Sequence, residues 1–250
     1  ARFEQPANFT IAYNATNMTV TYNGTTTIPQ GEAIWFNADL LGSNPTEVPF
    51  FSGRVLPLTT RAIDLGSPVA GASNNICTSQ ALLAATAAGA TLNGSLVSGG
   101  RAVLDVPRNV VAAWTGTAVA TVTGVDEYGN VVVESSASGT SLTGKKAMKF
   151  VTKFVVSADV TGLTVGTGNV LGLPIYVPSA AHVLKEIEDL AAATAGTFVG
   201  GLAVNTKSTA TTADVRGTYV PNSTPDGSKA FFLHVAVEDP SFLGAPQFAG

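Results

Sequence analysis

A lysine closing a glycine-bounded loop is the arrangement in which backbone amides and one cation cradle a nucleotide's phosphates. Gly139-Thr140-Ser141-Leu142-Thr143-Gly144-Lys145 has that outline. Its context is wrong for the chemistry. Lys146 stands where Ser or Thr must hold magnesium, and the residues that follow read as a strand, so no helix N-terminus would face the phosphates. The segment reads as a polar turn between strands. Gly166-Thr167-Gly168 begins like a dinucleotide fingerprint, but Leu171 replaces its third glycine and Pro174 interrupts the helix such a site needs. It reads as a tight turn.

Acid–base or hydrolytic chemistry would need a histidine or two facing carboxylates. His182 and His234 lie far apart, without a Cys or carboxylate at ligand spacing, and no Gly-x-Ser-x-Gly elbow accompanies them. Asp126 and Glu127 are adjacent, so their side chains diverge, while Glu186, Glu188 and Asp189 read as the wet face of one element. Arg108 and Arg216 each follow an Asp by two or three residues and read as partners in strand-end ion pairs. Cys77 is the only cysteine, which excludes an intrachain disulfide and a multi-cysteine zinc site. Six Asn-x-Ser/Thr triplets, at Asn8, Asn14, Asn17, Asn23, Asn93 and Asn222, read as turn and exposed-strand chemistry. No enzyme activity and no cofactor are expected.

Composition narrows the partners. Charged residues make up 12% of the chain, about half the usual share, so a large part of the surface is either dressed in Thr, Ser and Asn or covered by neighbouring chains. A net charge of -4 leaves no field for drawing the chain onto DNA or an anionic membrane, and nucleic-acid binding is not expected. No stretch has the length of about 18 uncharged apolar residues that a membrane span requires. The start, Ala1-Arg2-Phe3-Glu4, lacks an apolar signal core, which suits a product made in the cytosol.

The elements that would position these residues are mostly strands. Met18 to Tyr22 alternates polar and apolar residues before an Asn23-Gly24 turn, and Ala33 to Phe36 follows, so residues 1–60 read as an N-terminal arm or hairpin with a Pro-rich linker. Residues 61–178 carry short runs broken by Gly, Pro and Asp: Ala102 to Val106, Val110 to Trp114, Ala118 to Thr123, Val131 to Val133 and Lys149 to Val156. In the last of these, Phe150, Phe154 and Val156 fall on one face and Lys149 and Lys153 on the other. This spacing predicts a mainly β fold, a β-sandwich of immunoglobulin-like or similar type. Residues 179–250 are expected to hold one short helix near 180–194, with Ser179 as N-cap, Val183, Leu184, Ile187, Leu190 and Ala191 on its apolar face and Gly196 as its stop. More strands follow. In Phe231 to Val237, Phe231, Leu233, Val235 and Val237 share one face, and a Pro- and Gly-broken tail ends the chain.

Several phrases resemble a widespread group of tailed-phage virion proteins of the head module, assigned to capsid decoration. They are Leu92-Asn93-Gly94-Ser95-Leu96, Leu104-Asp105-Val106-Pro107-Arg108-Asn109-Val110, Val122 to Asn130, Thr164 to Pro174, and Asp214-Val215-Arg216-Gly217-Thr218-Tyr219. The resemblance runs in order from about Arg61 to the C-terminus and does not include residues 1–60. It implies a non-enzymatic decoration or cement protein on the virion's capsid surface, made in the host cytoplasm. Its partners would be the major capsid protein and further copies of itself, a homotrimer being one expected form. Trp35, Phe50, Phe51, Phe242 and Phe248 are the candidate interface anchors, because aromatics dominate interface energetics. A tail-tube or minor tail protein and a carbohydrate-binding β-sandwich are the alternatives.

Overall fold

The computed structural model describes residues 9–13, 18–22, 58–202 and 214–245. The chain divides into two compact units, Ala1–Pro57 and Leu58–Gly250. In the first, strands β1 (Phe9–Tyr13) and β2 (Met18–Tyr22) pair antiparallel, with Phe9 opposite Tyr22 and Tyr13 opposite Met18. The alternation in Met18–Tyr22 does form a strand, and it pairs with the segment before it. The expected Asn23-Gly24 turn and the 33–36 run lie outside the described residues.

The second unit is mainly β, built from antiparallel sheets that include a curled half-barrel. Its strands are β3 (Thr59–Asp64), β4 (Ala72–Leu82), β5 (Val97–Ser98), β6 (Arg101–Ala118), β7 (Ala120–Val125), β8 (Val131–Ser135), β9 (Gly139–Thr143), β10 (Met148–Val156), β11 (Val160–Gly172), β12 (Val183–Glu188), β13 (Ala191–Ala192), β14 (Thr197–Gly200), β15 (Gly217–Val220) and β16 (Phe231–Val237). Ten of them form one sheet along β14-β15-β11-β6-β10-β7-β8, with β4 beside β11 and β5 and β9 beside β6. Two long strands produce the curl. The first half of β6 pairs with β10, while its second half pairs with β11 on one edge and β9 on the other. Register shifts in these ladders bend the strands, as β-bulges do.

The concave side encloses a core of Ile76, Leu104, Val110, Trp114, Val122, Leu142, Met148, Phe154 and Leu163. A four-stranded sheet in the order β13-β12-β16-β3 lays Phe231, Leu233, Val235 and Val237 against Leu171, Leu173, Ile175, Val177 and Tyr219. The faces read from alternation in β16 are therefore the faces observed. In β10 they are not: Val151, Phe154 and Val156 are buried and Phe150 is half-buried, because register shifts after Met148 and Val151 change the phase.

The expected helix at 180–194 is not formed. One 3₁₀ turn at Ala180–His182 leads directly into β12, which pairs with β16 from Val183↔Val235 to Glu188↔Phe231. A two-residue loop, Asp189-Leu190, then joins Glu188 to its partner Ala191. Both loop residues have positive φ, 49° and 66°, as a type I′ hairpin turn requires. Spacing of Val183, Ile187, Leu190 and Ala191 suited a helix, but only the strand lets Val183–Glu188 complete the sheet over Phe231 and Leu233. Tertiary pairing overrides a weak local preference. Among the described residues, no helix is long and apolar enough to cross a membrane.

Candidate assembly surface

Four of the five phrases quoted above meet in space, and what joins them is buried charge. Arg108, fully buried on β6, donates from Nε to the Gly168 carbonyl at 2.8 Å, from Nη1 to the Val69 carbonyl at 2.9 Å, and from Nη2 to Asn169 Oδ1 at 3.1 Å. Its salt bridge to Asp105 measures 3.0 Å, the ion pair expected from spacing. Next to it, the Asn109 amide donates to the Gly144 carbonyl at 2.7 Å and accepts from the Val170 N–H at 3.1 Å, so β6 holds both β11 and the β9–β10 turn.

Arg216 pairs elsewhere than sequence suggested. Its Nη1 lies 2.9 Å from Asp126 Oδ2, ninety positions away, while Asp214, its neighbour in sequence, receives only its backbone N–H. Arg216 Nε also donates to the Leu173 carbonyl at 3.0 Å, and its guanidinium sits 5.1 Å over the Tyr128 ring. Burial pushes the Asp126 carboxyl up, but the bonds from Asn130 and from Arg216 outweigh it and hold the group below its ordinary value. A buried ion pair survives only when its remaining lone pairs and protons are satisfied, and here they are.

A third cluster was missed in the sequence. Glu134 of β8 is fully buried and accepts the backbone N–H groups of Lys145, at 2.7 Å, and Lys146, at 3.4 Å. Asp214 Oδ2 accepts the next N–H, Ala147, at 3.0 Å, and the Lys146 side chain is itself buried. Burial pushes Glu134 up to about 7, against the lowering effect of those two amides and of the Lys146 charge. The same burial lowers Lys146, opposed by Asp214 and Glu134. The signal was present: alternation in Val131–Ser135 puts Glu134 on the same face as buried Val132. This cluster also answers the phosphate-loop outline, since the amides that would have faced a nucleotide face the Glu134 carboxylate. Gly166 and Gly168 lie inside β11 rather than in a tight turn; a Cβ on Gly166 would fall on the Ala72 carbonyl of β4.

Of the five aromatic anchors, Trp35, Phe50, Phe51 and Phe248 lie outside the described residues. Phe242 is 47% exposed and meets Tyr176 edge to face, with ring centroids 5.1 Å apart. The two rings line a cavity of about 350 Å3 with Pro178, His182, Val237, Glu238 and Asp239. His182 Nδ1 lies 3.0 Å from the Ser179 hydroxyl, whereas His234 sits mid-strand opposite Lys185 and Ala62; the structure does not bring the histidines together. Other large apolar side chains reach solvent from the same stretch of chain: Leu184, Leu190, Val199 and Leu243.

The second carboxylate set is dispersed rather than convergent. Glu186 accepts the Tyr219 hydroxyl at 2.5 Å and the Gly196 N–H at 2.6 Å, Glu188 faces Ser223 and Lys229, and Asp189 accepts the Ala230 N–H. Among the described residues no three His, Cys, Asp or Glu side chains are grouped closely enough to hold a metal ion. Set against family models, curated proteins and solved structures, the chain matches none.

Proposed function

We propose that this chain is a non-enzymatic structural protein of a tailed-phage virion, binding the outer capsid surface and stabilising the shell by bridging neighbouring capsomers. The observation that carries this reading is the convergence of four of the quoted phrases. Asp105-Val106-Pro107-Arg108-Asn109 locks onto Gly168-Asn169-Val170, and Asp126 of the Val122 to Asn130 phrase locks onto Arg216 of Asp214 to Tyr219. Residues scattered over more than a hundred positions specify one scaffold. The scaffold exposes several large apolar side chains. Leu184, Leu190, Val199, Phe242 and Leu243 are exposed within a surface poor in charge, the composition suited to contact with other chains.

A protein that binds only the assembled shell lowers that shell's free energy relative to its dispersed subunits, and many weak copies add together. The test mixes purified protein with expanded shells that lack it, sediments the shells, and compares bound copies and heat resistance with untreated shells. Saturable binding with raised heat resistance is the expected result. Absence of binding at high protein concentration refutes the capsid role.

A further inference from the structure

Leu190 breaks two local rules at once. It occupies the second position of a type I′ turn, where φ of 66° favours glycine, and with Asp189 it is one of only two non-glycine residues of positive φ among the described residues. It is also 88% exposed, more than any other large apolar side chain described. Asp189 has a local reason for its place, because its carboxylate accepts the Ala230 N–H at 2.9 Å. Among the described residues nothing repays Leu190: at 88% exposure it has no buried contact to set against the strained backbone, and a glycine would serve the turn better. Strain and exposed apolar surface held together at a hairpin tip mark a residue kept for an external contact.

We propose that Leu190 is an anchor that this protein inserts into an apolar pocket with a basic rim on the assembled shell. The proposal rests on the shell-binding reading above. Charge selects the partner. Among the described residues, Glu188, Asp189 and Asp226 stand around the tip against one cation, Lys229, whose ammonium lies 3.6 Å from Glu188 and whose backbone N–H bonds to Asp226. Among the described residues a second copy of this chain offers no cavity with a basic rim: the one of about 450 Å3 beside Phe198 is balanced by Lys185 and Glu186, and two others repeat the tip's sign. The Tyr176–Phe242 cavity carries Glu238 and Asp239, and the cavity of about 260 Å3 beside Pro107 carries Asp64, Asp105 and Glu127. Acid against acid would oppose docking of the tip there. Lys or Arg side chains on a shell subunit would complement it.

The experiment uses the full chain and shells that lack it, with Leu190→Gly as the variant. Glycine relieves the positive φ, so the variant's unfolding midpoint is expected to be no lower than the wild type's. Its affinity for shells is expected to fall roughly tenfold to a hundredfold, the equivalent of one buried leucine. Wild-type binding should weaken as salt is raised. Equal shell affinity for wild type and Leu190→Gly overturns the anchor, and salt-independent wild-type binding overturns the basic rim. If the wild type fails to bind shells, the capsid reading itself has failed, and the anchor with it.

Discussion

Replacing Glu134 with glutamine removes one titrating group from a fully buried site while keeping a carbonyl oxygen to accept the Lys145 N–H. The native carboxyl is raised to about 7 from an ordinary 4.5 by burial. A carboxyl raised on folding means that the native state holds a proton the unfolded state has released. Its stabilising contribution is therefore complete below about pH 4.5 and is lost as pH rises through about 7. Each pH unit in that window removes roughly 1.4 kcal/mol, so stability of the wild type should fall by about 2–3 kcal/mol between pH 5 and pH 8 through this group alone. E134Q cannot release the proton and should lack that slope, while all other carboxylates are common to both proteins and cancel. Urea unfolding followed by tryptophan fluorescence reads the difference, since Trp114 is buried in the same core and bonded to the Gly139 carbonyl of β9. Parallel pH profiles for the two proteins would refute a buried, proton-holding Glu134.

Arg216→Ala strands the buried Asp126 carboxylate and frees the Leu173 carbonyl, and should lower unfolding free energy by roughly 3–5 kcal/mol in the same urea assay; a loss under about 1 kcal/mol would show the pair to be solvated. Gly166→Ala places a methyl against the Ala72 carbonyl and should force β4 off β11, read as a loss of amide protection in Ala72–Leu82 by hydrogen exchange. Burial pushes the Cys77 thiol up and encloses it, so a thiol reagent should label it only under unfolding conditions; rapid labelling of the native protein would contradict its place in the core.

Sequence patterning was enough for the strands whose alternation is uninterrupted. In β16 the period of two gave both faces, and in Met18–Tyr22 it gave the strand. It failed where a bulge changes phase, as at Phe150, which ends half-buried beneath the Arg101 guanidinium at 4.2 Å rather than beside Phe154. It failed again at 180–194, where apolar spacing suits a helix and only the distant pairing with Phe231–Val237 selects a strand. The ion pairs divide on the same line. Asp105–Arg108 is local and was legible; Asp126–Arg216 joins residues that only the folded sheet brings together. Leu190 was misassigned for a related reason, since a leucine signals a buried face unless the backbone around it is known to turn outward.

Charge placement gives the sparse composition a sharper meaning. The chain has 13 cations and 17 carboxylates, and the fold withdraws at least six of these, Arg108, Asp126, Glu134, Lys146, Asp214 and Arg216, from the surface. Burying charge stabilises little by itself, because desolvation offsets most of the attraction. Its effect here is to specify: each cluster fixes the register between segments that are remote in sequence, such as β6 with β11 and the β7–β8 turn with Arg216 before β15. The exterior is left with fewer charges than even 12% suggests, and so with less hydration to strip when another chain covers it. A monomer gains nothing from that, whereas a protein whose surface is to be covered by neighbours associates more readily for it.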